Sequence, residues 1–218
     1  PVFDGWFLTN NYAFGTMRVN VVNAAPDLDP NNLIATTQYV TAGNLVNIPL
    51  INANDDGPLD QLRYSNSGPG LLTDSFLGTA SYLWTTDQGS SHINQVIFNT
   101  TDLNGGGLSS SKTATIYVNH LPSCSSIADM IVDEGAVLSF ALPCSDDSRD
   151  GDTLTYSGNS LPAGASVGSS TGIFTWTPNF NQAGIYNITF TVSDGRDSIT
   201  TSPVRITVNN SPVYLYYD

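Results

Sequence analysis

The chain has 218 residues, a formal net charge of −13 and a pI near 4.1. That length suits one or two domains at roughly 150 residues each. Six basic residues give no positive patch for phosphate contacts, which argues against a nucleic-acid partner. Hydrophobic content of 40% fills a core rather than a disordered acidic tail, and no run reaches the roughly 18 apolar residues of a membrane span.

From the amino terminus, Pro1-Val2-Phe3-Asp4 lacks the basic start and apolar run of a signal peptide, as expected of a mature or excised segment. Beyond it, runs rich in Val, Ile, Thr, Phe and Tyr alternate with Gly, Pro, Asn and Asp, which reads as all-β. Three such runs end alike: Met17 to Asn23 before Pro26, Thr115 to His120 before Pro122, and Arg205 to Asn210 before Pro212. Each alternates strictly, with Met17, Val19 and Val21, then Ala114, Ile116 and Val118, then Val204, Ile206 and Val208 on one face. A proline straight after a strand stops the ladder and stiffens the link, so these three mark domain junctions. The spacing suits a seven-stranded sandwich.

The repeat continues inside the modules. Tyr39 to Leu50 matches Ile131 to Leu142, each with a glycine turn, Gly43 or Gly135, between two apolar runs, as in a hairpin. Asp55-Asp56 before Tyr64 answers Asp146-Asp147 before Tyr156; Trp84 answers Trp176, and Phe98 answers Phe190. Residues 1–25 match only the last two strands of a module, and residues 212–218 only the first strand of another. Complete β-sandwich modules therefore span 26–121 and 122–211.

Cys124 and Cys144 lie symmetrically about Glu134, so a hairpin centred on that turn brings them face to face in a disulfide of an oxidising compartment. The carboxylates Asp133, Glu134, Asp146, Asp147, Asp150, Asp152 and Asp194 fall in turns of the second complete module. Calcium takes six to eight oxygens, and loop carboxylates supply them; ordinary turn chemistry explains the same residues without a metal. Sequons stand at Asn99, Asn187 and Asn209. The first two sit on polar strand faces, where a glycan leaves the core undisturbed. Trp6, Trp84 and Trp176 are read as core. His92 and His120, far apart in sequence, make no zinc pattern and no catalytic triad. A lysine–asparagine crosslink would need Lys112, whose context carries no matching pattern.

Residues 152–195 hold the most specific pattern: Asp152-Thr153-Leu154-Thr155-Tyr156, Leu161-Pro162-Ala163-Gly164, Thr171-Gly172-Ile173-Phe174-Thr175-Trp176, Ala183-Gly184-Ile185-Tyr186 and Phe190-Thr191-Val192-Ser193-Asp194-Gly195. In that order they resemble the cadherin-like, immunoglobulin-like repeats of bacterial, archaeal and some eukaryotic surface proteins, dystroglycan-type domains among them. The resemblance covers 122–212 well and 26–121 more loosely. It implies tandem β-sandwiches in a cell-surface or adhesion protein and no catalytic activity. Cadherins hold calcium at domain junctions, where this sequence has the amides Asn119, Asn209 and Asn210 instead of aspartates.

The expected role is a non-catalytic structural segment of an extracellular, cell-surface array, such as an adhesin stalk, S-layer or surface-fibre spacer. Its partners are neighbouring modules or identical subunits. One alternative is a filament subunit whose incomplete end modules are completed between chains by strand addition. Another is an accessory binding module of a secreted enzyme.

Overall fold

The computed structural model describes residues 23–29, 34–56, 61–103 and 106–211. The strands expected within 1–22 and 212–218, Trp6 among them, lie outside these residues. Regular structure among the described residues is strand throughout, without an α-helix, as the period-two alternation requires. Among the described residues, those from 23 to 87 with 93–117 form one unit, and 88–92 with 118–211 form a second.

The first unit places β1 (Asp27–Leu28), β3 (Leu45–Asn54), β6 (Thr79–Thr85) and β5 (Leu71–Asp74) in one sheet, in that order. The second sheet runs β2 (Thr37–Thr41), β8 (Ser109–Asn119), β7 (Ile93–Asp102), β4 (Leu62–Ser67). Inward residues obey the alternation until Pro49. Proline has no N–H for the ladder, and the β3–β6 register slips between Ile48 and Ile51. The buried face accordingly changes parity, from Val46 and Ile48 to Ile51 and Ala53. Trp84 is half-buried.

On the facing sheet, Phe98, Ala114 and Ile116 are buried, and Lys112 stands directly opposite Phe98. The chain's single lysine thus lies on the inner face. Its Nζ meets Oδ2 of Asp29 at 2.5 Å, and the Asp29 side chain is wholly buried. The same carboxylate accepts the backbone N–H of Ile34 at 2.7 Å. Removing one partner of a buried pair leaves the other uncompensated.

In the second unit the main sheet is β10 (Met130–Asp133), β18 (Val204–Asn209), β16 (Gly184–Ser193), β13 (Thr155–Asn159), with β17 (Ser198–Thr200) beside β16. A second sheet holds β11 (Leu138–Ala141), β15 (Ile173–Trp176) and β14 (Ser166–Val167), and β9 (Ser123–Cys124) pairs with β12 (Cys144–Ser145).

The expected hairpin around Gly135 is absent. β10 pairs in parallel with β18, whereas β11 pairs with β15 in the other sheet. The turn, with Gly135 at φ +80° and Ala136 N–H bonded to Asp133 O, carries the chain between layers. The first unit repeats this, with β2 beside β8 and β3 beside β6. A glycine turn permits either path, and the open edges of β18 and β15 decide between them.

Between the second unit's sheets, Phe174 and Phe190 meet edge-on with ring centroids 5.7 Å apart, and Phe140 lies tilted against Phe174 at 5.0 Å. Trp176 is fully buried, crosses Tyr186 at 4.9 Å and donates Nε1–H to the Ala163 carbonyl. That carbonyl belongs to the Leu161–Gly164 turn, whose Leu161 lies on Gly158. A Cβ at Gly158 would come within 2.5 Å of the Leu161 side chain. The leucine-proline element of the sequence is therefore a plug over the bare backbone of β13.

Replacing Phe190 with alanine is expected to lower unfolding free energy by about 3–5 kcal/mol, measured by denaturant titration. Tyr64, bonded to the Gly78 carbonyl, and Tyr82, bonded to the Pro69 carbonyl, are both pushed up to about 12 by burial. Their contribution is complete below the ordinary tyrosine value near 10 and is lost as pH rises towards 12. Ultraviolet titration is expected to show late-ionising tyrosines, Tyr64 and Tyr82, together with loss of the β-sheet circular dichroism signal.

Candidate functional site

Paired strands place loop residues at their ends, and the seven carboxylates of the second unit divide between two ends of one sheet. Asp133 lies opposite Asn209, beside the Gly184 end of β16, while Asp194 follows the Ser193 end. Ten residues of strand separate them by about 30 Å, so no single ion can take all seven.

At the Gly184 end the acids serve the backbone. Glu134 is buried and accepts N–H groups from Gln182, Ala183 and Ser211 at 2.9–3.1 Å. Asp133 accepts the Asn209 amide at 2.9 Å. Both carboxylates thus tie the 133–136 turn to its neighbours.

The other end gathers Asp146, Asp147, Asp150, Asp152 and Asp194, together with Asp197, Asn119 and His120. The Asp194 carboxylate accepts the N–H groups of Arg196 and Asp197, each at 2.7 Å, fixing the turn after β16. Asn119 Nδ2 donates to Asp194 at 3.1 Å and to Asp197 at 2.8 Å. Asp150, its side chain wholly buried, meets Nδ1 of His92 at 2.8 Å and Nδ1 of His120 at 2.9 Å. It also accepts the His120 backbone N–H. His120 Nε2 faces the Ser90 carbonyl at 3.0 Å. Both nitrogens of this buried ring thus have polar neighbours, the Asp150 carboxylate and the Ser90 carbonyl. The two histidines, distant in sequence, meet through one carboxylate.

Asp147 is held by the Arg149 guanidinium, which keeps its carboxyl far below the usual range. Asp152 faces Arg196 at 3.5 Å. Asp146 lacks such a cation. Burial raises its carboxyl above the ordinary range, and the charges of Asp194, Asp150 and Asp152 raise it further, against the Asp147 backbone N–H. Its Oδ2, like Asn119 Oδ1, is buried without a hydrogen-bond partner. Asp146 also lines an open cleft of about 490 Å³ with His120, Pro122 and Ser145.

These donors are all oxygens, the set suited to calcium rather than to a transition metal. Three of them, Asp146 Oδ2, Asp152 Oδ2 and Asn119 Oδ1, are buried without a hydrogen-bond partner. Among the described residues no three His, Cys, Asp or Glu side chains form a ready-made metal cage. Sequence spacing alone does not bring Asn119, at the end of β8, to Asp197 in the turn after β16.

Cys124 and Cys144 face each other across β9 and β12 and are bonded, with Cα atoms 4.0 Å apart. The pairing arises without the expected hairpin, since β10 and β11 diverge to different sheets beyond it. Of the sequons, Asn99 is half-buried, whereas Asn187 and Asn209 are exposed.

Residues 114–209 match a family described as "Putative Ig domain". No curated protein matches the chain. Among solved structures, Drosophila N-cadherin EC1-4 aligns with a TM-score of 0.51 at 18% identity, covering 86% of this chain and 50% of that one. Mouse cadherin-23 EC22-24 aligns at 0.49 and 15% identity, covering 85% and 67%. An endo-fucoidan hydrolase of glycoside hydrolase family 107 aligns at 0.37 and 22% identity, covering 81% of this chain. The chain spans 28% of that hydrolase's length. The fold is that of cadherin-like, immunoglobulin-like β-sandwiches.

The disulfide closes a loop of 20 residues. Replacing both cysteines with serine is expected to lower stability by about 3 kcal/mol, the loop-closure scale for that length. Denaturant unfolding of the double variant measures it.

Proposed function

We propose that the chain is a non-catalytic structural segment of an extracellular or cell-surface protein, its sandwiches acting as spacers in an array. The observation that carries this reading is the Cys124–Cys144 bond, which ties β9 to β12 at the entry to the second unit. Such bonds persist in oxidising surroundings, outside the reducing cytosol. The immunoglobulin-like repeat and the related strand plan of the two units support the same reading. Antibodies raised against the chain should label intact, unpermeabilised cells of its source. Labelling only after permeabilisation overturns the surface assignment.

A divalent cation belongs to this reading. Asp146, Asp194 and Asn119 Oδ1 would hold calcium, with Asp152 alongside, while Asp150 stays with the histidines. A bound cation would offset the repulsion of Asp146 by Asp194, Asp150 and Asp152. Without it, the folded state holds the Asp146 proton more tightly than the unfolded chain does. This contribution to stability falls as pH rises above the ordinary carboxylate value.

Excess calcium is expected to raise the melting temperature over chelator, by about 2.7 kcal/mol of stability at a hundredfold excess over the dissociation constant. Asp146→Asn should remove that difference and itself melt a few degrees higher than the parent in chelator. Identical parent melts in calcium and chelator would sink the cation while leaving the spacer reading intact.

A further inference from the structure

The three sequons share a motif and differ in surroundings. Asn99 lies on β7, which is paired on both sides, opposite Ser65 of β4 and Ser111 of β8. The next residue, Thr100, is fully buried. A sugar on half-buried Asn99 would have to force these neighbours apart. Asn209 is exposed, but its amide nitrogen, the atom a glycan would occupy, already donates to Asp133 at 2.9 Å.

Asn187 meets neither obstacle. It is exposed, and its neighbour Ile188 points into the core at 1% exposure. On one side it faces Arg205 of β18. On the other side, pairing with β13 begins only at Thr189, opposite Asn159. The stretch 184–188 therefore presents an unpaired edge to solvent at the sequon. Thr189, its third residue, is held by the Asn159 amide at 3.2 Å.

The same outer face carries an apolar row. Ile131 and Ile185 both stand beside Thr207 on β18 and are 71% and 57% exposed. Residues i and i+2 of a strand share a face, so Ile185 and Asn187 are neighbours there. Elsewhere this face consists largely of Ser, Thr and Asn, with few charges to hold water.

We propose that Asn187 carries an amide-linked glycan whose first N-acetylhexosamine lies along Ile185 towards Ile131. The inference rests on the extracellular reading, since the transfer occurs on the secretory route. Asn187 Nδ2 bonds to the anomeric carbon of an oligosaccharide supplied as a lipid diphosphate. The anomeric carbon–oxygen bond breaks, the lipid diphosphate leaves, and Nδ2 loses one proton. The apolar face of the sugar and its acetyl methyl cover the isoleucines, while its hydroxyls hydrate a surface poor in charge.

The full chain secreted from a eukaryotic host tests this by glycopeptide mass spectrometry. Enzymatic amide release in heavy-oxygen water marks the occupied asparagine. Modification is expected at Asn187, with Asn99 empty. Asn187→Gln should fold and melt as the unmodified chain does and lose the glycan mass. Enzymatic deglycosylation should increase binding of an apolar dye, and Ile185→Thr should abolish the increase. An unmodified Asn187 in folded, secreted protein overturns the site, as does occupancy of Asn99 with Asn187 empty. Dye binding indifferent to the glycan overturns the covering role. None of these outcomes bears on whether antibodies reach the chain on intact cells.

Discussion

The meeting of Phe174 and Phe190 between the sheets of the second unit governs much of what surrounds it. Each ring comes from a different sheet, so their edge-on packing fixes the strands carrying them in register as well as in separation. Trp176 follows Phe174 on the same face and reaches the Ala163 carbonyl, which positions the Leu161–Gly164 turn over Gly158. Ile188 and Val192 flank Phe190 on β16, so the alternation continues to Asp194. The acid-bearing turn is located by aromatic packing several residues away.

With the strands fixed, the loops at their ends must settle a charge problem that the core does not share. Three different solutions stand side by side, and a fourth acid goes without. Asp147 takes an exposed arginine, Asp150 two histidine rings and a backbone N–H, and Asp194 backbone and amide N–H groups. Asp146 takes none of these in full, and its carboxyl is raised in consequence. Net charge alone does not identify this site, because most of its acids are already satisfied. The residue whose acceptors remain unfilled distinguishes a candidate ligand from a turn former.

Much of the fold was legible because alternation is a local property. The faces of Ala114, Ile116 and Val118, and of Val204, Ile206 and Val208, follow directly from period two. The pairing of Cys124 with Cys144 was legible through symmetry about Glu134, although the hairpin invoked for it does not form. The path after Gly135 was not legible, because one turn sequence serves a hairpin and a crossover equally well. Nor was the division of the acids, since residues adjacent in a composition count can lie at opposite ends of β16. Pairs such as Asp29 with Lys112 are 83 positions apart and depend on the completed sandwich.

The inward lysine also changes how the chain meets proteases. Enzymes that cut after basic residues require several residues of extended, accessible backbone. Position 112 lies within β8, with β2 and β7 as neighbouring strands. Its ammonium, the group such an enzyme recognises, is bound to Asp29. Cleavage there must wait for the first unit to open, so its rate reports the opening of the sandwich rather than the abundance of the protease. In an exposed, protein-degrading environment, the chain has made its single lysine a poor point of entry.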